Sequence, residues 1–231
     1  MKRIFILIFV LNFHSGFAQK DNVGELVRIK YNHPGLITDL GVGLWAWPFP
    51  VDYDHDGDLD LLVNCPDHPF NGIWFFENKT GGKSPVFTPP VKLAQSQRNM
   101  QISNTNGKYK VMLPGVAFPR FFETFFDEPD TLFNESFYES IVKKPRFNLW
   151  RYVDYENDGD LDIVIAIDDW QDYGWDNAFN AKGEWTNGPL HGTIYWIEQT
   201  GSDKYAAPKP VTAGGKKIDT YGITGANFND F

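Results

Sequence analysis

Two twelve-residue stretches combine acidic side chains and glycine at spacings that suit a hard cation. The first runs from Asp52 to Val63, DYDHDGDLDLLV, and the second from Asp154 to Ile165, DYENDGDLDIVI. Oxygen-bearing residues fall at positions 1, 3, 5 and 9 of each, with glycine at position 6. Short loops of this kind wrap carboxylates around Ca²⁺. The expected side-chain ligands are Asp52, Asp54, Asp56 and Asp60 in the first loop, and Asp154, Glu156, Asp158 and Asp162 in the second. Asp58 and Asp160, at position 7, are expected to offer backbone carbonyls. Gly57 and Gly159 supply the sharp bend, because glycine takes positive φ without steric cost. Glu156 is one methylene longer than its counterpart Asp54, which predicts a slightly distorted second site. Carboxylates packed this densely repel one another unless a cation neutralises them.

The segment after each loop decides what kind of calcium loop it is. An EF-hand needs a bidentate Glu at position 12 and then a helix. Position 12 is Val63 in one copy and Ile165 in the other, and the runs LDLLV and LDIVIAI read as buried strands.

The repetition extends beyond the loops. A Leu-Trp pair precedes each, Leu44-Trp45 and Leu149-Trp150. A second aromatic strand comes after each, Gly72–Asn78 and Gly192–Gln199, in which Ile73 matches Ile194 and Glu77 matches Glu198. Each copy then turns through glycine, at Gly81 and Gly201. Each ends in a proline-rich extended piece, Phe87–Leu93 and Ala207–Val211, as suits an edge strand. Four strands per unit describes the blade of a β-propeller. The fold class expected is therefore all-β, a β-propeller of four-stranded blades, with repeats at about 44–93 and 149–211. Residues 223–231 resemble the start of a third loop, so the ring is expected to be incomplete, as in a fragment. Residues Gln101–Lys144 read equally as a degenerate unit without metal or as an insertion, and Leu26–Tyr31 as a further strand.

Residues 1–18 open with Met1-Lys2-Arg3, continue through an apolar run and close on small residues around Ala18. That pattern is a secretory signal, predicting a secreted, periplasmic or cell-surface protein with no membrane span after cleavage. The remaining residues, 19–231, suffice for a sizeable core. Cys65 stands alone, so no internal disulfide forms, and either size or metal must hold the domain. A net charge of −9 without a basic patch argues against nucleic acid as a partner. Aromatic residues make up 16% of the chain, with eight Trp.

On the two loops and their flanking strands, the chain resembles FG-GAP/VCBS-type repeat proteins, the calcium-bearing blades of integrin-α-like propellers. The resemblance implies calcium, an extracellular place and a binding scaffold, and no single reaction. Three functions remain open. A binding module would recognise a polysaccharide or an extracellular protein, with Trp170, Tyr173, Trp175 and Trp185 of the aromatic excursion as candidate ligand-binding residues. Their alternative role is plain loop packing. A polysaccharide lyase or glycosidase would need two carboxylates set across the substrate. Asp168, Asp169, Asp172 and Asp176 supply acids, but no catalytic pair can be assigned. A purely structural segment of a larger surface protein is the third.

Overall fold

The computed structural model describes residues 42–81, 84–174, 176–202, 204–222 and 225–227, all within one compact unit, Gly35–Phe231. The expected signal, the strand over Leu26–Tyr31, Trp175 and most of the expected third loop lie outside the described residues.

The described chain is all-β, built from successive antiparallel sheets, two of four strands and one of five, with two small hairpins. Sheet one takes its strands in chain order: β1 (Trp47–Val51), β2 (Asp60–Cys65), β3 (Gly72–Phe76) and β4 (Val91–Ala94). In β1, Pro48 and Pro50 are exposed while Phe49 and Val51 are buried. Prolines are tolerated because β1 is an edge and needs no donors on its outer side. The central strand β2 is covered on both faces, and almost every residue is buried. A strand enclosed in that way reads as a continuous apolar run.

The stretch after Gln101 forms a sheet of its own. Its strands are β5 (Gln101–Thr105), β6 (Lys108–Leu113), β7 (Val116–Phe118) and β8 (Asp130–Thr131), again in chain order. Here the first two strands are joined not by an acidic loop but by Asn106-Gly107, with φ of 53° and 78°. Two successive positive φ values make the tight turn that matches strand twist, and Asn-Gly is the pair best suited to it. The β7–β8 connection carries α1 (Phe121–Thr124), which inserts the buried Phe121 between sheets one and two. A second short helix, α2 (Glu135–Tyr138), leads on toward sheet three.

Sheet three has β9 (Pro145–Val153), β10 (Asp162–Asp169) and β11 (His191–Ile197) as its long strands. A hairpin of β12 (Gln199–Gly201) and β13 (Lys204–Tyr205) comes next, and then β14 (Lys209–Pro210), which pairs with β11. A small hairpin, β15 (Thr212–Ala213) with β16 (Lys216–Lys217), precedes β17 (Asp219–Thr220). That last strand pairs with the beginning of β11 at Gly192 and Thr193.

Register corrects one sequence match. Val51 pairs with Asp60 as Val153 pairs with Asp162, so Trp47-Pro48 occupies the place of Leu149-Trp150. Leu44-Trp45 precedes the strand, and the two Leu-Trp pairs are not equivalent.

The sheets pack in sequence. Phe49, Leu62 and Ile73 of sheet one meet Ile102 and Val111 of sheet two. Met112 of sheet two meets Trp150, Ile163, Ile165 and Ile197 of sheet three. Burying each aliphatic side chain contributes about 1.5–3 kcal/mol. The first strands of the three sheets, β1, β5 and β9, line one cleft of about 350 Å³, where the Arg151 guanidinium donates twice to Gln101 Oε1 at 2.9 and 2.7 Å. Among the described residues the sheets do not close into a ring.

Histidine ties the last strand back to the body. His191 Nδ1 lies 2.7 Å from Asp219 Oδ2, and its Nε2 lies 3.3 Å from Asp172 Oδ2. The hydrogen bond to Asp219 raises the imidazole above its ordinary pKa. A raised pKa means that this clamp is fully present below about pH 6.5 and is lost as pH rises through the folded-state value. An exposed pair of this kind is worth about 0.2–1 kcal/mol. The protection of residues 170–190 against hydrogen exchange, relative to the intrinsic rate at each pH, should therefore fall above neutral pH, and His191→Gln should flatten that dependence. Protection as constant with pH in the wild type as in the variant would rule the clamp out.

Candidate metal centre

Each acidic loop joins the first strand of its sheet to the second, and the two loops share their ties at positions 5 and 9 and their backbone bends. The carboxylate at position 9 is the keystone of both. Asp60 is buried; its Oδ2 accepts from the Tyr53 backbone N–H at 3.1 Å and its Oδ1 from that of Asn78 at 2.8 Å. Asp162 repeats this with Tyr155 N–H at 3.1 Å and Gln199 N–H at 2.7 Å. At position 5, Asp56 Oδ1 accepts from Asp58 N–H, and Asp158 Oδ1 accepts from Asp160 N–H. The bends agree as well: φ is 63° at His55 and 95° at Gly57, against 57° at Asn157 and 96° at Gly159.

Two further correspondences were not read from the sequence. The tyrosine at position 2 packs on an aromatic of the third strand, Tyr53 on Phe75 at 4.7 Å and Tyr155 on Trp196 at 4.9 Å. The side chain after the third strand ties down position 8: Asn78 Nδ2 donates to the Leu59 carbonyl, and Gln199 Oε1 accepts from Leu161 N–H. The signal for both was present, in the matched Tyr53/Tyr155 and in the amides after Glu77 and Glu198.

The loops differ in how their carboxylates are disposed. Ligand oxygens of Asp52, Asp54 and Asp60 lie within 4.8 Å of one another, the one such cluster among the described residues. In the second loop Asp154 bends inward instead; its oxygens accept from the Asp158 and Gly159 N–H groups at 3.0 and 3.1 Å. Glu156 lies within electrostatic reach of Asp162, Asp158 and Glu198.

Both loops hold carboxylate in an environment that disfavours its charge. Burial, and then Asp56 beside it, push the Asp58 carboxyl above its usual range. Burial raises Asp60, opposed by its two backbone donors. Burial and the neighbouring Asp158 raise Asp160. The buried oxygens Asp52 Oδ1, Asp58 Oδ1 and Asp160 Oδ1 have no hydrogen-bond donor. Buried polar atoms are ordinarily partnered, so an all-oxygen donor set with unmatched oxygens fits a divalent cation.

The aromatic excursion between β10 and β11 is packed largely on itself. Tyr173 stacks on Trp185 at 4.4 Å, Trp170 meets Tyr173 edge-on at 5.2 Å, and Phe179 meets Trp185 edge-on at 5.1 Å. Trp185 Nε1 donates to the Gly188 carbonyl. Of the candidate ligand-binding residues, Tyr173 and Trp185 thus contact each other within the loop. Trp170 is buried, with its indole N–H on Asp168 Oδ2 at 2.9 Å.

Among the described residues no helix is long and apolar enough to cross a membrane. Comparisons with protein-family models, curated proteins and solved structures give no match to this chain.

Proposed function

We propose that this chain is an exported, calcium-braced β-propeller segment that serves as a binding scaffold. The observation that carries the reading is the recurrence of one loop at the same junction in two sheets, its position-9 carboxylate accepting from corresponding backbone donors in both copies, with buried carboxylate oxygens left unmatched at Asp52, Asp58 and Asp160. Calcium would be held in the first loop by Asp52, Asp54, Asp56, Asp60 and the Asp58 carbonyl. In the second it would be held by Asp154, Glu156, Asp158, Asp162 and the Asp160 carbonyl. The ion would supply positive charge where the fold has gathered negative charge, and so pin the first strand to the second in sheets one and three. Two four-stranded meanders in chain order, and a third sheet whose long strands β9, β10 and β11 also follow chain order, with first strands around one cleft, support the propeller arrangement. The basic, apolar and small-residue order of residues 1–18 supports export.

A binding scaffold gains from stiff loops and needs no reacting group of its own. The first loop is the better prepared site, since Asp154 must leave two backbone donors before the second can close on an ion. Calcium titration should therefore resolve two unequal sites. At tenfold its dissociation constant each ion adds about 1.4 kcal/mol of stability. For a chain of this size that raises Tm by roughly 3–6 °C per site. The measurement is a pair of thermal melts, with calcium and with a chelator. Coincident melts would refute the calcium brace.

A further inference from the structure

Arg151, in β9, lines the cleft of about 350 Å³ framed by the first strands of the three sheets. Its Nε and Nη2 both donate to Gln101 Oε1, at 2.9 and 2.7 Å. Gln101 is fully buried and is itself held, because its Nε2 donates to the Met100 carbonyl at 2.6 Å. The amide therefore grips one edge of the guanidinium. The other edge, Nη1 with the second Nη2 hydrogen, makes no hydrogen bond among the described residues. That edge is a planar fork whose parallel N–H groups match the two oxygens of a carboxylate.

The charge of this guanidinium has no counterpart. Gln101 is neutral, and among the described residues Arg151 forms no ion pair. Burial alone lowers its pKa from the ordinary value, yet a guanidinium stays charged at any physiological pH. Buried charges are ordinarily paired, since an unpaired one is costly in a low dielectric. None of the described residues that line the cleft is acidic, in a chain whose net charge is −9.

The neighbouring polar side chains have an acceptor engaged and their donors left over. Ser103 Oγ accepts from Tyr152 N–H at 2.9 Å, Asn104 Oδ1 from Gly107 N–H at 2.9 Å, and the Tyr109 hydroxyl from Asp52 N–H at 3.1 Å. A hydroxyl so engaged still has its hydrogen to give, and an amide its NH₂ group. Phe49 and Ile102, both buried, add apolar surface to the lining.

We propose that this cleft binds a small organic monocarboxylate, with its two oxygens on the Nη1–Nη2 edge of Arg151 and its hydrocarbon part toward Phe49 and Ile102. The volume lies at the lower end of the range for small-molecule sites. One fixed cation calls for one negative charge, its open fork for a planar pair of oxygens, and the apolar lining for a hydrocarbon body. A dianion such as sulfate carries a second charge that the cleft cannot balance. An amide of the same shape offers the body without the charge. The site uses none of the expected calcium ligands, so its failure and that of the calcium brace are separate results.

The full chain, in calcium and at constant ionic strength, is titrated with benzoate, butyrate, benzamide and sulfate while the Arg151 Nε–H resonance is followed by NMR. At least one of the two acids should move that resonance along a saturating curve. Benzamide should leave it in place, and sulfate should bind about tenfold more weakly or worse. Gln101→Glu gives the guanidinium a carboxylate of its own and should abolish binding of the acid although Arg151 is retained. Arg151→Lys keeps the charge but not the fork, and should weaken the acid about tenfold, the worth of one charge-assisted hydrogen bond. Thermal melts verify that each variant is folded, and either one suffices. An Arg151 resonance unmoved by both acids, benzamide bound as tightly as benzoate, preference for sulfate, or undiminished affinity in a folded variant would each overturn the proposal.

Discussion

Asp60→Ala, measured in the presence of a chelator, is expected to destabilise the protein by about 2–4 kcal/mol, whereas Asp56→Ala under the same conditions should change stability by no more than about 0.5 kcal/mol. The two residues stand in one loop and both are expected calcium ligands. What separates them is the work they do without metal. Asp60 is buried and accepts from two backbone N–H groups, Tyr53 and Asn78, that belong to different segments. Removing it strands both donors, and each lost partner costs about 1–3 kcal/mol. Relief of the buried charge offsets part of that, since burial, and after it repulsion from Asp54 and Asp58, holds this carboxyl above its ordinary range. Asp56 is exposed, and its one acceptor role is to the Asp58 N–H at the loop surface. In calcium both variants should lose the first ion's contribution, so the gap between them persists. Urea melts with and without chelator measure all four values. If Asp56→Ala matched Asp60→Ala in chelator, position 9 would be only a ligand and the keystone role would be wrong.

The loops were legible because their chemistry is local. Ligand types, spacing and the hinge glycine all fall within nine residues, and the strand after each loop is signalled by a short apolar run. Sheet two was harder to read. It has the same four-stranded order, but its first turn is Asn106-Gly107 rather than an acidic loop, so metal spacing gives no sign of it. The pair itself is a strong hairpin signal between Gln101–Thr105 and Lys108–Leu113, and weighing it would have favoured a sheet over an insertion. The aromatic excursion shows a different limit. Composition does not show how an aromatic side chain is packed, and the stacking of Tyr173 on Trp185 emerges only from the fold of the excursion. The grouping of two arginines with Trp45 and Trp170 was not legible at all. These residues come from separate segments; pairing of β9 with β10 brings Arg146 to Trp170, and the meeting of the sheets adds Trp45 and Arg98.

That packing has one dominant residue. Trp150→Ala is expected to cost about 3–5 kcal/mol, the range for deleting a large aromatic from a core, and to lower Tm by roughly 6–20 °C. Trp150 is fully buried in β9, with Tyr138 edge-on at 5.1 Å and Phe133 at 5.8 Å, both from the segment between sheet two and sheet three. Its indole N–H donates to Asn148 Oδ1 at 2.7 Å. Truncation opens a cavity between the two sheets and leaves that buried amide oxygen without its donor, and the penalties add. Trp150→Phe keeps a ring in the space and should recover about half the loss. Trp185→Ala is the informative comparison. Trp185 is only half-buried and packs within its own excursion, so its loss should loosen residues 170–190 and cost about 1 kcal/mol globally. Equal losses for the two variants would mean that the excursion, rather than the interface of sheets two and three, holds this half of the protein together.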